Sequence, residues 1–212
     1  MLRQILSETR RHMPFTAAGS AVGIALLLAL YYGGVGHDEA EKLFWVMHPA
    51  HVFLSAMATT ALYKVYAGGR PLPALLIGYT GSVGIATLSD SVIPFIGEII
   101  LKLPQAHVHA GFIEQWWLVN PVALAGIALG WYLPRSRYPH AGHVLLSTTA
   151  SLLHMLMALG GAVSPLTIAA LAAFLFLAVW LPCCTSDIVY PLLWVRGRVD
   201  ADGRRLRHGH AH

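Results

Sequence analysis

Six stretches dominated by apolar residues divide the chain: Pro14 to Gly33, Phe44 to Tyr66, Pro73 to about Leu103, Trp117 to Leu133, His143 to Gly161 and Pro165 to about Trp180. A helix needs about 20 such residues to cross the hydrocarbon layer of a bilayer. With no water there to satisfy an open backbone, a helix is the natural way across. The pattern therefore predicts an all-α, polytopic integral membrane protein with six transmembrane helices. The third stretch is the longest and holds Ser89-Asp90-Ser91 and Pro94. It is expected to break between Asp90 and Pro94 into a spanning helix and a kinked or re-entrant piece.

Polar residues inside these stretches recur at helical spacing. His48, His51, Ser55 and Thr59 share one face of the second helix, and His140, His143, Ser147, Ser151 and His154 share one face of the fifth. The third offers Thr87, Asp90 or Ser91, Pro94 and Glu98. An ionisable side chain at membrane depth costs roughly 2.5 kcal/mol or more, so three such stripes are expected to face one another rather than lipid.

Depth refines the expectation. With entry at Phe44 and a rise of about 1.5 Å per residue, His48 and His51 lie roughly 6 to 10 Å below one surface. His154, climbing from the opposite surface, reaches about the same level, as does Asp90. His48, His51, Asp90 and His154 are thus expected to bind one divalent transition metal, zinc or iron first. A histidine merely hydrogen-bonded in a packed bundle is the plainer alternative for each of them taken singly. His140 and His143, with Cys183, Cys184 and Asp187, form a secondary candidate metal set at the opposite surface. His107, His109 and Glu114, flanking Gln115-Trp116-Trp117, are a candidate mouth.

Charge decides orientation. Arg3, Arg10, Arg11, Lys64, Arg70, Arg135, Arg137 and the arginines from Arg196 to Arg207 all fall on one side, so both termini are expected in the cytoplasm. No A-x-A-like cleavage site follows the first stretch, so it is expected to remain as a span. Composition agrees: 56% hydrophobic and 11% charged residues with a mean hydropathy of +0.60 exclude an ordinary soluble domain. The net charge of +4 resides in those loops and suits anionic lipid, not nucleic acid. Residues 1–195 form one membrane domain and 196–212 a basic, His-rich tail ending His208-Gly209-His210-Ala211-His212. Adjacent Cys183 and Cys184 read as thiols rather than a disulfide.

Haem-attachment, zincin, nucleophile-elbow, Walker and Rossmann patterns are all missing. Gly126 and Gly130 form a G-x-x-x-G on the fourth helix, which favours close packing or a homo-oligomer. The expected function is that of a small divalent metal-ion transporter in a prokaryotic inner membrane, with the lipid bilayer and the metal ion as its partners. The alternatives are a cytochrome b-like subunit holding haem b between His51 and His154, and an intramembrane metal-dependent enzyme.

Overall fold

All regular structure among the described residues is helical. The computed structural model describes residues 2–67, 70–134, 140–160, 163–184 and 190–194. The helices are α1 (Leu2–Tyr32), α2 (His37–Ala67), α3 (Pro71–Ile100), α4 (Gly111–Glu114), α5 (Trp116–Tyr132), α6 (His140–Ala158), α7 (Pro165–Cys184) and α8 (Tyr190–Leu193). Two of them, α3 over Pro71–Ile100 and α7 over Pro165–Pro182, are long and apolar enough to cross a membrane. Shorter apolar helices run over Thr16–Tyr32 and Gly142–Ala158. Although α2 is 31 residues long, its inner stretch carries His48, His51, Ser55, Thr59 and Thr60 among the apolar residues.

The expected break in α3 does not occur. The helix starts with Pro71 just after an extended Arg70, a position where a missing N–H is no loss. It stays helical to Ile100, relaxing into π-helical turns at Thr80–Gly84 and Leu88–Val92. The second of these turns explains how Pro94 is tolerated. Proline has no N–H to give, and the Ser89 carbonyl, five residues earlier, would be its partner in π-type bonding. That carbonyl instead shares the Ser151 hydroxyl of α6, at 3.0 Å, with the Ser147 carbonyl one turn back, at 2.8 Å.

Helix α2 also begins earlier than its apolar stretch. Asp38 and Glu39 occupy its first turn, where carboxylates meet the positive end of the helix dipole, and Trp45 Nε1 donates to Glu41 one turn back at 3.2 Å. Starting at His37 rather than Phe44 sinks His51 roughly 21 Å along the helix.

Helix α2 lies at the centre and packs against α3, α5 and α6, while α1 and α7 pack against each other and against α6. The α2–α5 contact depends on small residues. A Cβ on Gly126 would stand 2.5 Å from the Phe53 carbonyl oxygen, and one on Gly130 would stand 2.3 Å from that of Met57. The G-x-x-x-G face is therefore occupied within the chain.

Apolar clusters flank the centre. One joins Leu27, Phe44, Leu152, Met155, Leu171 and Leu175 from α1, α2, α6 and α7, and another joins Val52, Val83, Ala86, Val119 and Ala123 from α2, α3 and α5. Between them lies a polar interior in which His48, Ser89, Asp90, Ser91, Glu98, Ser147 and Ser151 are buried to 1% exposure or less. The outside is the reverse: Leu26, Leu72, Leu76, Ile96, Ile99, Ile100, Leu124, Leu145, Leu166 and Leu181 are exposed.

Candidate functional site: histidines held by carboxylates

The second π-turn of α3 builds the site. Successive residues of an α-helix point about 100° apart, so three in a row do not ordinarily share a buried face. Ser89, Asp90 and Ser91, within the widened turn Leu88–Val92, are nonetheless all three fully buried.

Asp90 Oδ2 accepts hydrogen bonds from Nδ1 of both His48, at 2.9 Å, and His51, at 2.7 Å. A carboxylate only accepts, so each Nδ1 carries a hydrogen and Nε2 is the nitrogen each ring has left for another partner. His51 Nε2 lies 3.1 Å from Nε2 of His143, with the ring planes at 84°. His48 Nε2 is buried with no hydrogen-bond partner among the described residues. It sits against Gly111, where a Cβ would stand 2.8 Å away. Asp90 Oδ1 accepts the Ser89 hydroxyl at 2.6 Å and the Ser147 hydroxyl at 3.4 Å.

His154 belongs to a neighbouring group. Its Nδ1 donates to Glu98 Oε1 at 2.7 Å, and its Nε2 accepts from the Ser91 hydroxyl at 3.0 Å. Ser91 Oγ in turn accepts the backbone N–H of His109 at 2.7 Å. His109 Nδ1 donates to Glu114 Oε2 at 3.0 Å. Burial pushes the His109 imidazole below its ordinary pKa, opposed by the bond to Glu114. Phe44 divides the two groups. It stacks on His48 with centroids 5.3 Å apart, meets His154 edge to face at 5.7 Å and lies tilted against His109 at 5.7 Å.

The structure thus brings His48, His51 and Asp90 together and places His154 with Glu98. The single layer expected of these residues is two groups, because the early start of α2 carries His51 down to His143. His143, expected with the secondary set at the opposite surface, joins the main group. The His140, Cys183 and Cys184 side chains and Asp187 lie outside the described residues, as does the 196–212 tail. His51 and His154, the haem alternative's axial pair, turn their Nε2 atoms to different partners, His143 and Ser91. Glu98 and Ser91 were legible only as stripe members, since nothing in the spacing pairs either with His154.

Among the described residues, no group of three or more His, Cys, Asp or Glu side chains is arranged as a ready-made metal-ligand set. The arrangement instead repeats one unit: His48, His51, His109 and His154 each tie Nδ1 to a carboxylate. That bond fixes the tautomer, orients the ring and makes the other nitrogen a better electron donor.

Fold and site together define an all-α protein with ionisable groups inside, apolar side chains outside and two helices able to cross a membrane. No protein family, no curated protein and no solved structure matches the chain.

Proposed function

We propose that the chain crosses the bilayer six times, with both ends in the cytoplasm, and moves divalent transition-metal ions through its polar interior. The crossing reading is supported by the exposed leucines and isoleucines, which suit lipid, and by the arginine bias of the loops. In that topology the 101–110 loop and the start of α2 face outward, and the start of α6 faces the cytoplasm. A prokaryotic inner membrane suits this orientation.

One observation carries the metal reading: four imidazoles have Nδ1 held by a carboxylate, the setting in which protein imidazoles bind metals through the remaining nitrogen. His51 and His143 are the first pair to receive an ion. Two imidazole nitrogens bound tetrahedrally at about 2.0–2.1 Å from one zinc stand roughly 3.3 Å apart, and these two stand 3.1 Å apart. Asp90 serves His51 by orientation and charge rather than as a ligand. The ion is cargo, and two protein ligands with the remaining positions open suit a step that must also release it. Nitrogen ligands favour zinc, iron, cobalt and nickel over magnesium and calcium.

The test is flux into reconstituted vesicles loaded with a metal-sensitive dye. Wild-type protein is expected to admit Zn²⁺ or Fe²⁺ well above empty vesicles, with His51→Ala and His143→Ala reducing flux at least tenfold. Flux no greater than empty vesicles for Zn²⁺, Fe²⁺, Mn²⁺, Co²⁺ and Ni²⁺ would sink the transport reading.

A second reading rests on Ser91, His154 and Glu98, whose bonds run in the order of nucleophile, base and orienting acid. Ser91 is fully buried beneath His109, which counts against it. Covalent labelling of Ser91 by a fluorophosphonate probe would favour this reading.

A further inference from the structure

We infer a second transition-metal station on the outward side, between His109 and His154, through which ions pass before reaching His51 and His143. The inference rests on the metal-handling reading above and adds a site to it.

The two rings stand with centroids 5.3 Å apart and planes at 75°. Two imidazoles bound to one tetrahedral zinc at about 2.0–2.1 Å have ring centres roughly 5 Å apart, so the ring spacing already suits a shared ion. The available nitrogens are fixed by their neighbours. Glu114 holds Nδ1 of His109 and Glu98 holds Nδ1 of His154, which leaves Nε2 on each ring to bind once the Ser91 hydroxyl hydrogen turns away from His154. Ser91 Oγ, 3.0 Å from His154 Nε2, offers an oxygen beside the same nitrogen.

A second observation points independently to a cation. Glu98 is fully buried, and its Oε2 has no hydrogen-bond partner among the described residues. A buried carboxylate short of donors is costly, and a divalent ion on Nε2 of His154, across the ring from the Nδ1 that Glu98 holds, would offset part of that cost by its field rather than by ligation. The approach to the station is built as well. His107 is exposed and lies beside His109, with centroids 4.9 Å apart, so a third imidazole stands at the solvent edge. The route then runs from His107 past the His109–His154 pair and the Phe44 ring to His48, whose Nε2 has no hydrogen-bond partner among the described residues, and on to His51 and His143.

Zinc stoichiometry of the full chain decides the matter, measured by equilibrium dialysis and elemental analysis after stripping with a chelator. Because the His-rich tail can bind zinc in every variant, the readout is the difference from wild type. His109→Ala is expected to bind one ion fewer per chain, and His154→Gln the same, while His51→Ala loses a different one, so the His109→Ala, His51→Ala double variant loses both. His109 lies in a loop, so its replacement tests the station even if the buried His154→Gln variant fails to fold. If His109→Ala binds as much zinc as wild type while His51→Ala binds one ion fewer, the outer station is overturned and the proposed function stands. If neither variant loses an ion, both fall.

Discussion

His51 and His143 meet Nε2 to Nε2 at 3.1 Å although 92 residues separate them. One nitrogen pair thereby joins α2 to α6. The pairing also fixes their register, because two long antiparallel helices can bring these rings together at one offset only. The same register sets Phe44 against His154, centroids 5.7 Å apart, so the two histidine groups lie on either side of a phenylalanine.

Asp90 should act on metal binding without being a ligand. Replacing it with Asn keeps an oxygen acceptor but removes the charge that holds both Nδ1–H groups. Metal affinity is expected to fall by about 10–100-fold with the fold retained. Titration of the purified Asp90→Asn variant checks this, and affinity within twofold of wild type would contradict the orienting role.

Gly111 leaves room for the His48 ring. A Cβ there would stand 2.8 Å from Nε2, so Gly111→Ala must displace the ring or the 101–110 loop. A large fall in flux with little change in thermal stability is expected. Wild-type flux would show that His48 lies off the route.

Gly130 is a packing position. Its added methyl would meet the Met57 backbone oxygen, which has no rotamer to escape into. Gly130→Ala is expected to cost about 1–3 kcal/mol by forcing α5 away from α2, seen as a lowered unfolding midpoint in detergent.

Ser151 covers the carbonyl that the π-turn and Pro94 leave open. Ser151→Ala strands that buried oxygen, at a cost of about 1–3 kcal/mol. The reverse change in α3, Pro94→Ala, supplies an N–H and is expected to recover part of the loss. Equal stability of Ser151→Ala and wild type would remove this account of the turn.

Topology can be read with reporter fusions. A reporter active only in the cytoplasm is expected to work when fused after Arg70 or at His212 and to fail after Lys42. Activity at Lys42 would overturn the six-span arrangement.

The helical class, the polar faces of α2, α3 and α6 and the close-packing glycines were all legible from spacing, because side-chain periodicity is a local property of the chain. Legibility ended where hydropathy and helix ends part company. The charged residues from His37 to Lys42 look like a loop to any apolar count, yet they are the first turns of α2. Missing those turns shifted His51 by seven residues and matched it with His154 instead of His143. The π-turn at Leu88–Val92 was equally hidden, since Pro94 signals a break unless a partner such as Ser151 takes over the stranded carbonyl.

What the sequence by itself determined is which polar residues turn inward: His48, His51, Asp90, Glu98 and His154 cannot remain unpaired in apolar surroundings, and their spacing sets the face each helix turns to its neighbours. Only the tertiary structure decided who meets whom. Partner choice depends on the offset between helices that are distant in sequence, and that offset is set by packing such as Gly126 and Gly130 against the α2 backbone and by the widened turn that swings Asp90 between His48 and His51.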